Sequence, residues 1–236
     1  MLVYPSAIDL SSRTLRFLTG RLKARRQEIG TRWRRLPASR QAMLALAHLR
    51  CGDTYAQPAA GFGVGIATVY RYIREAAEAL ASLVPSLAGA MRTIREKAFV
   101  ILDGTLLPID RITADTPYYS GKHKRHGMNV QVLTDPFGRL LWVSPTLPGS
   151  THDLTAARHH GIVEALAEAG LRCWADKASQ GAGNSVRVPF RGRRLKRWKR
   201  RHNITHAKIR CLGEQASTTR ITAIVQAVLV LHHATA

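Results

Sequence analysis

The sequence predicts an α/β domain, a mixed sheet flanked by helices, preceded by an all-α segment. Three observations carry this. Up to about residue 95 the apolar residues recur with helical spacing, as in the run Val69, Ile73, Ala76 or Ala77 and Leu80. From Ala98 the period changes to short apolar runs of strand length, and past His152 helical spacing returns. Strands and helices of this kind in one segment fit a sheet covered by helices.

Residues 10–50 read as arginine-rich helices interrupted at Pro37, with Ser39 as the expected N-cap of the next one. From Thr54 a capping-box pair, Thr54 and Gln57, opens a short helix that runs to a turn at Gly63. A longer helix follows from about Ile66. Short helix, glycine turn, longer helix is the helix-turn-helix pattern, placed at about 53–84 within a helical region of residues 1–95. Pro58 falls at an expected fourth helical position, where it would remove one backbone bond. In this motif the second helix enters the major groove by its N-terminal end. Thr68, Tyr70 and Arg71 are then expected to face DNA, and Arg74 a phosphate. The competing reading is a helical hairpin with solvated arginines.

In residues 96–236, "AFVILDG" reads as a buried strand ending at Asp103. "NVQVLTD" and "RLLWVSP" flank Asp135-Pro136-Phe137-Gly138, a turn sequence, and form a hairpin. The stretch from His152 to Gly170 reads as a helix, "RCWADKA" as a strand ending near Asp176, and "VRVPF" as a further strand.

Lys and Arg number 36 against 15 Asp and Glu, a net charge of +21, spread over both halves of the 236 residues. Such a chain attracts polyanions, which makes nucleic acid the expected partner. Residues 187–201 concentrate the charge: Arg193, Arg194, Lys196, Arg197, Lys199, Arg200 and Arg201 surround Trp198 with no acid among them. They form a clamp for DNA phosphates or, in the alternative, a disordered basic loop. Cys51, Cys173 and Cys211 are widely spaced, so neither a zinc ribbon nor a disulfide framework is indicated. The N-terminus has no basic stretch before an apolar core, and "ITAIVQAVLVL" is too short to span a bilayer. A cytoplasmic chain without membrane association is expected.

Against this background the acids of the second half stand out. Asp103 and Asp176 end strand-like runs, Asp153 opens a helix, and Glu214 lies on a helical stretch, "HAKIRCLGEQA". Carboxylates gathered at sheet ends repel unless a cation holds them, and oxygen-only ligands suit Mg²⁺ or Mn²⁺. Two such ions activate a water or 3′-hydroxyl and stabilise the leaving oxygen at phosphorus. Asp153 also reads as a simple helix N-terminal charge.

"DGTLLPI", "YYSGKHKRHGMNVQVLTDPFGRLLWVSPTLPGSTHD", "WADKASQGAG" and "HAKIRCLGEQA" together resemble a DDE-superfamily insertion-sequence transposase of the Harbinger-like branch, over roughly residues 40 to 236. The resemblance implies a ribonuclease H-like catalytic domain, divalent-metal dependence, strand cleavage and transfer at element ends, and a homo-oligomer on DNA. It matches Asp103 to the first carboxylate and Glu214 to the last. Asp153 and Asp176 both match acidic positions, and the topology of that fold favours Asp176 as the second catalytic carboxylate, with Asp153 an auxiliary metal ligand. Two departures follow from the same resemblance. Ser179 stands where the family has an aromatic residue, and Ala216 runs directly into Ser217, as if an internal segment after the Glu helix were missing and the domain C-terminally shortened. An active transposase and a DNA-binding remnant without a working site are therefore both expected readings, and an unrelated RNA-binding protein is disfavoured by the ordered acids.

Overall fold

A computed structural model describes residues 11–31, 34–109 and 116–211. The chain divides into two compact units between Val84 and Pro85.

The first unit is helical. Helix α1 (Ser12–Glu28) starts at Ser11, whose hydroxyl accepts from the Thr14 amide at 3.1 Å. Helix α2 (Ala38–Cys51) is entered through Pro37, so Ser39 lies inside the first turn instead of capping it. It ends at Gly52, whose φ of 69° is the left-handed geometry that favours glycine. Helix α3 (Ala56–Phe62) ends at Gly63 in the same conformation, and α4 (Ile66–Ala81) follows after Val64 and Gly65. Gln57 reaches back to the Thr54 amide at 2.9 Å, which is the reciprocal half of a capping box. Because α3 begins at Ala56, Pro58 sits in its first turn, where its missing N–H leaves no helical carbonyl unpaired. Val69, Tyr72 and Ile73 of α4 pack with Leu44 of α2 and Ala59 of α3; Ala76 and Ala79 join Leu18 and Leu22 of α1.

The second unit opens with α5 (Leu87–Ile94), whose buried Ala90, Met91 and Ile94 belong to the sheet's core. Seven strands follow in chain order: β1 (Val100–Pro108), β2 (Tyr119–Ser120), β3 (Arg125–Thr134), β4 (Leu140–Val143), β5 (Leu147–Pro148), β6 (Cys173–Ala175) and β7 (Val186–Arg187). The order is β2-β3-β1-β6-β7, with β4 and β5 also paired to β3. β1 is antiparallel to β3 and parallel to β6, and β6 is parallel to β7, so the sheet is mixed as expected. The β3–β4 turn is fixed by Asp135, whose Oδ1 accepts from the amides of Phe137 and Arg139.

Two expectations change. The stretch after His152 is two helices, α6 (Asp153–His159) and α7 (Ile162–Glu168), because Gly161 takes φ 69° between them. β1 does not stop at Asp103 but continues five residues further along β3, to Pro108. A last helix, α8, occupies residues 197–211.

Strand alternation gives the sheet two distinct faces. Val100, Leu102, Cys173 and Ala175 point to the face covered by α5, α6 and α7, where they form one core with Leu133, Ile162 and Leu166. Ile101, Asp103 and Trp174 belong to the other face. There Trp174 stacks on His202 of α8 at 5.8 Å and meets His206 edge-on at 5.3 Å.

Candidate active site

β1 and β6 place two acids at one level. Leu102 is in register with Ala175, so Asp103 and Asp176 are the next residues on adjacent parallel strands. The pairing of β1 with β6 ends there while β1 runs on. By alternation Asp103 continues the row of Ile101, on the side of α8, whereas Asp176 comes just past the last paired residue of β6, where strand alternation no longer fixes the side its carboxylate takes. Asp176 also caps the 3₁₀ turn Lys177–Ser179 through Oδ1, which accepts from the Ala178 amide at 2.9 Å.

α8 reaches Asp103. His202, His206 and Arg210 are spaced by four, one row along the helix. His206 approaches the Arg187 carbonyl at 3.3 Å, and Arg210 donates to Asp103 Oδ1 at 2.9 Å. Asn203 fastens the same helix by bonding both backbone groups of Phe190. Burial holds His206 below the usual histidine range, and the Arg210 charge adds to it.

Asp153 lies on the face of Gly104, opposite Asp103. It opens α6 and is almost fully buried. A Cβ on Gly104 would meet its Oδ1 at 2.5 Å, so only a glycine at 104 lets this carboxylate lie against the sheet. Asn129 of β3 donates to Oδ1 at 2.9 Å, and Gln131 donates to Asn129 at 2.7 Å. Lys122, from the turn between β2 and β3, donates to Asp153 Oδ2 at 2.8 Å and reaches Asp176 Oδ2 at 3.4 Å. Burial raises the Asp153 pKa, but the Lys122 and Asn129 hydrogen bonds outweigh it and hold the carboxyl below its ordinary value. For Lys122 burial acts downward, and the two carboxylates outweigh it to raise the ammonium's pKa.

Among the described residues no three acidic, histidine or cysteine side chains form a group able to hold a metal ion. Asp153 and Asp176 share the Lys122 ammonium, while Asp103 is held by Arg210. Glu214, the remaining expected carboxylate, lies outside the described residues.

On α4, Arg71 is exposed, and its guanidinium folds back on the Ala67 carbonyl and the Thr68 hydroxyl. Thr68 is half-buried, and Tyr70 is half-buried edge-on to Tyr55 of the α2–α3 loop. Arg74 is engaged within the unit: its Nε donates to Glu78 at 3.0 Å, and Arg25 of α1 pairs with the same carboxylate.

Comparison with protein-family models adds two matches. Residues 34–86 match the helix-turn-helix of DDE superfamily endonuclease, and residues 102–221 match the DDE superfamily endonuclease itself. The second match spans just over half of the chain. The chain belongs to the DDE superfamily endonuclease family. It is a transposase chain with a DNA-binding helix-turn-helix ahead of its α/β domain. No curated protein and no solved structure matches it.

In this transposase the basic run is not a featureless loop. Arg193, Arg194 and Lys196 are exposed ahead of α8; Arg197, Arg200 and Arg201 are exposed on its first turns. Lys199 is half-buried and lies over the rings of Phe190 at 5.0 Å and Trp198 at 5.4 Å. No helix among the described residues is long and apolar enough to cross a membrane.

Sequence reasoning missed Lys122, Asn129, Gln131, Gly104, His206 and Arg210. For Asn129 and Gln131 a signal existed, since two amides at i and i+2 in an otherwise apolar strand share one face. Lys122 and Arg210 gave no local signal, because their partners lie 31, 54 and 107 residues away.

Proposed function

We propose that this transposase cleaves and joins DNA strands at the ends of a bacterial insertion sequence of the Harbinger-like branch, with Mg²⁺ or Mn²⁺. The observation that supports it is the shared level of Asp103 and Asp176 on adjacent parallel strands, with Arg210 of α8 already on Asp103. Glu214 follows Arg210 by four residues in the sequence, the spacing of His202, His206 and Arg210. The donor chemistry fits a divalent ion. All candidate ligands are carboxylate oxygens, and an internal ammonium already stands between two of them. Asp103, Asp176 and Glu214 hold the metal in this reading, with Asp153 as the auxiliary acid. When bound, the metal activates the attacking oxygen and stabilises the leaving one. The chain's own part is to hold the DNA: Thr68, Tyr70 and Arg71 in the major groove, Arg74 at a phosphate, and the arginines and lysines of 193–201 on the phosphate backbone. The protein works in the cytoplasm as a homo-oligomer on DNA.

A supercoiled plasmid bearing the element's ends, incubated with the full chain and Mn²⁺, tests this. Nicking or linearisation that Asp103→Asn abolishes is the expected result. DNA binding without any metal-dependent nicking favours the second reading, a remnant that binds but does not cut. The Ala216–Ser217 junction supports that alternative, as does Ser179, buried against α6 where the family pattern has an aromatic ring. Cleavage regained on inserting a family-like segment after Ala216 would establish the remnant reading.

A further inference from the structure

The Lys122 ammonium sits where a cation is needed, yet it belongs to the protein. It comes from a tight turn: the Lys124 amide bonds back to the Ser120 carbonyl at 2.8 Å, and Lys124 takes φ 56°. The turn presents Lys122 to two carboxylates that hold it unequally. Asp153 is the firm partner, at 2.8 Å with a side chain only 10% exposed, and its second oxygen is fixed by Asn129. Asp176 is the loose partner, at 3.4 Å and 20% exposed. The lysine side chain itself is half exposed, so it has room to move.

We propose that Lys122 is a displaceable counter-cation of the carboxylate site. In the metal-free chain it neutralises Asp176 and ties it to Asp153. A divalent ion that takes Asp176 removes the ammonium from that oxygen and leaves it anchored on Asp153. The ammonium then faces the DNA and donates to a phosphate oxygen as its new partner. No bond is made or broken; one cation replaces another on Asp176, and a positive charge is handed to the backbone. Metal and DNA therefore bind with positive coupling, and the coupling is reciprocal. This rests on the metal-dependent reading proposed above.

The test uses the full chain. Mn²⁺ binding is followed by the spin-resonance signal of free Mn²⁺, with no DNA and no turnover. Removing an internal competitor leaves Asp176 open, so Lys122→Met is expected to bind Mn²⁺ about tenfold more tightly than the unmodified chain. Lys122→Gln serves as a second variant of similar length, and thermal melts with and without Mn²⁺ check that both fold. DNA binding is then measured against salt in the presence and absence of Ca²⁺. In the unmodified chain Ca²⁺ is expected to steepen the log–log slope by about one phosphate contact, and in Lys122→Met it is not.

Equal or weaker Mn²⁺ binding by both folded variants overturns the proposal. If in that case Asp176→Asn still abolishes Mn²⁺ binding, the metal reading stands and only the role of Lys122 falls. If the unmodified chain binds no Mn²⁺, the metal reading falls with it.

Discussion

Both units of this transposase place arginine or lysine on carboxylates, but the backbone beneath them differs. In the helical unit Glu75 and Glu78 project from α4 between helices. Glu78 takes Arg25 of α1 and Arg74 of its own helix, while Glu75 takes Arg34 and the buried Gln41, whose carbonyl in turn holds Arg26. Through Arg25 and Gln41 these pairs tie α4 to α1 and α2, and each acid is consumed by the fold. In the sheet unit Asp103 and Asp176 stand at one level of a parallel strand pair, a place where backbone pairing stops and side chains are presented together. There the cations come from a turn and from a distant helix, and they meet acids that the sheet has already gathered. The contrast shows that an ion pair does not define a role. The element carrying the acid decides whether the pair is part of the packing or part of a site.

The sharpest way to break this comparison is to remove the acids' charge in the sheet unit. Asp103→Asn and Asp176→Asn are each expected to lower metal-dependent strand cleavage at least about a hundredfold, with DNA still bound. Asp153→Asn is expected to cost less, because that carboxylate is nearly buried and acts through Lys122. Measured cleavage rates that rank Asp153 above Asp176 would overturn the choice of Asp176 as the second carboxylate.

A second substitution asks whether Asp153 needs its seat. Gly104→Ala puts a methyl group into the space of the Asp153 carboxylate and close to the Gln131 amide. A shift of the carboxylate strains its hydrogen bond from Asn129, and a shift of the amide strains the Gln131–Asn129 bond. A loss of about 1–3 kcal/mol in a urea unfolding experiment is expected, typical of overpacking at a filled position. A loss below about 0.5 kcal/mol would mean that the carboxylate relocates freely, and the fixed anchor for Lys122 would go with it.

These sites show how far the sequence was readable. β1, the β3–β4 hairpin with its Asp135 turn, and the α3–Gly63–α4 motif follow from local patterns, because the forces that make them act between near neighbours. Asp103, Asp153 and Asp176 were visible as scarce acids at element edges. The sharing of Lys122 by Asp153 and Asp176 was not, since it joins a turn to acids 31 and 54 positions further along the chain. The continuation of β1 through "GTLLP" was hidden because glycine and proline read as a turn, while in the structure that segment is held by pairing with β3. Arg210 and Lys122 were illegible for the same reason: a basic residue in a basic chain carries no mark of the acid it will meet.

For the helical unit a smaller effect is expected. Arg71 is exposed, whereas Arg74 is engaged with Glu78, so the two are not equivalent DNA contacts. Arg71→Ala is expected to weaken DNA binding by several-fold and to make the log–log salt slope shallower by about one. An unchanged slope would assign Arg71 to the fold, on the side of Glu75 and Glu78.

The smallest effect concerns the seating of α8, and it is read through pH. His206 is buried between Trp174 and the Arg187 carbonyl, and burial with the Arg210 charge favours its neutral form. A histidine whose folded pKa lies below its unfolded value binds its proton more readily when unfolded. Stability from this group is therefore complete above about pH 6.5, the ordinary histidine value, and declines as pH falls through that value toward the folded pKa. His48, His123 and His160 are shifted in the same direction, so the whole chain must lose stability over that window and His206 accounts for only a part. His206→Phe keeps an aromatic ring against Trp174 but has no proton to gain. The expected outcome is a melting temperature for this variant that falls less between pH 7.5 and 5.5 than that of the unmodified chain, by a few degrees at most. The histidine also gives up its contact with the Arg187 carbonyl, so the variant is expected to be slightly less stable at pH 7.5, where both forms of the chain are neutral at this position. The two melting curves should then converge as the solution is acidified. Parallel curves with a constant offset would show that His206 holds α8 by shape alone, and that the placing of Arg210 on Asp103 does not depend on its charge state.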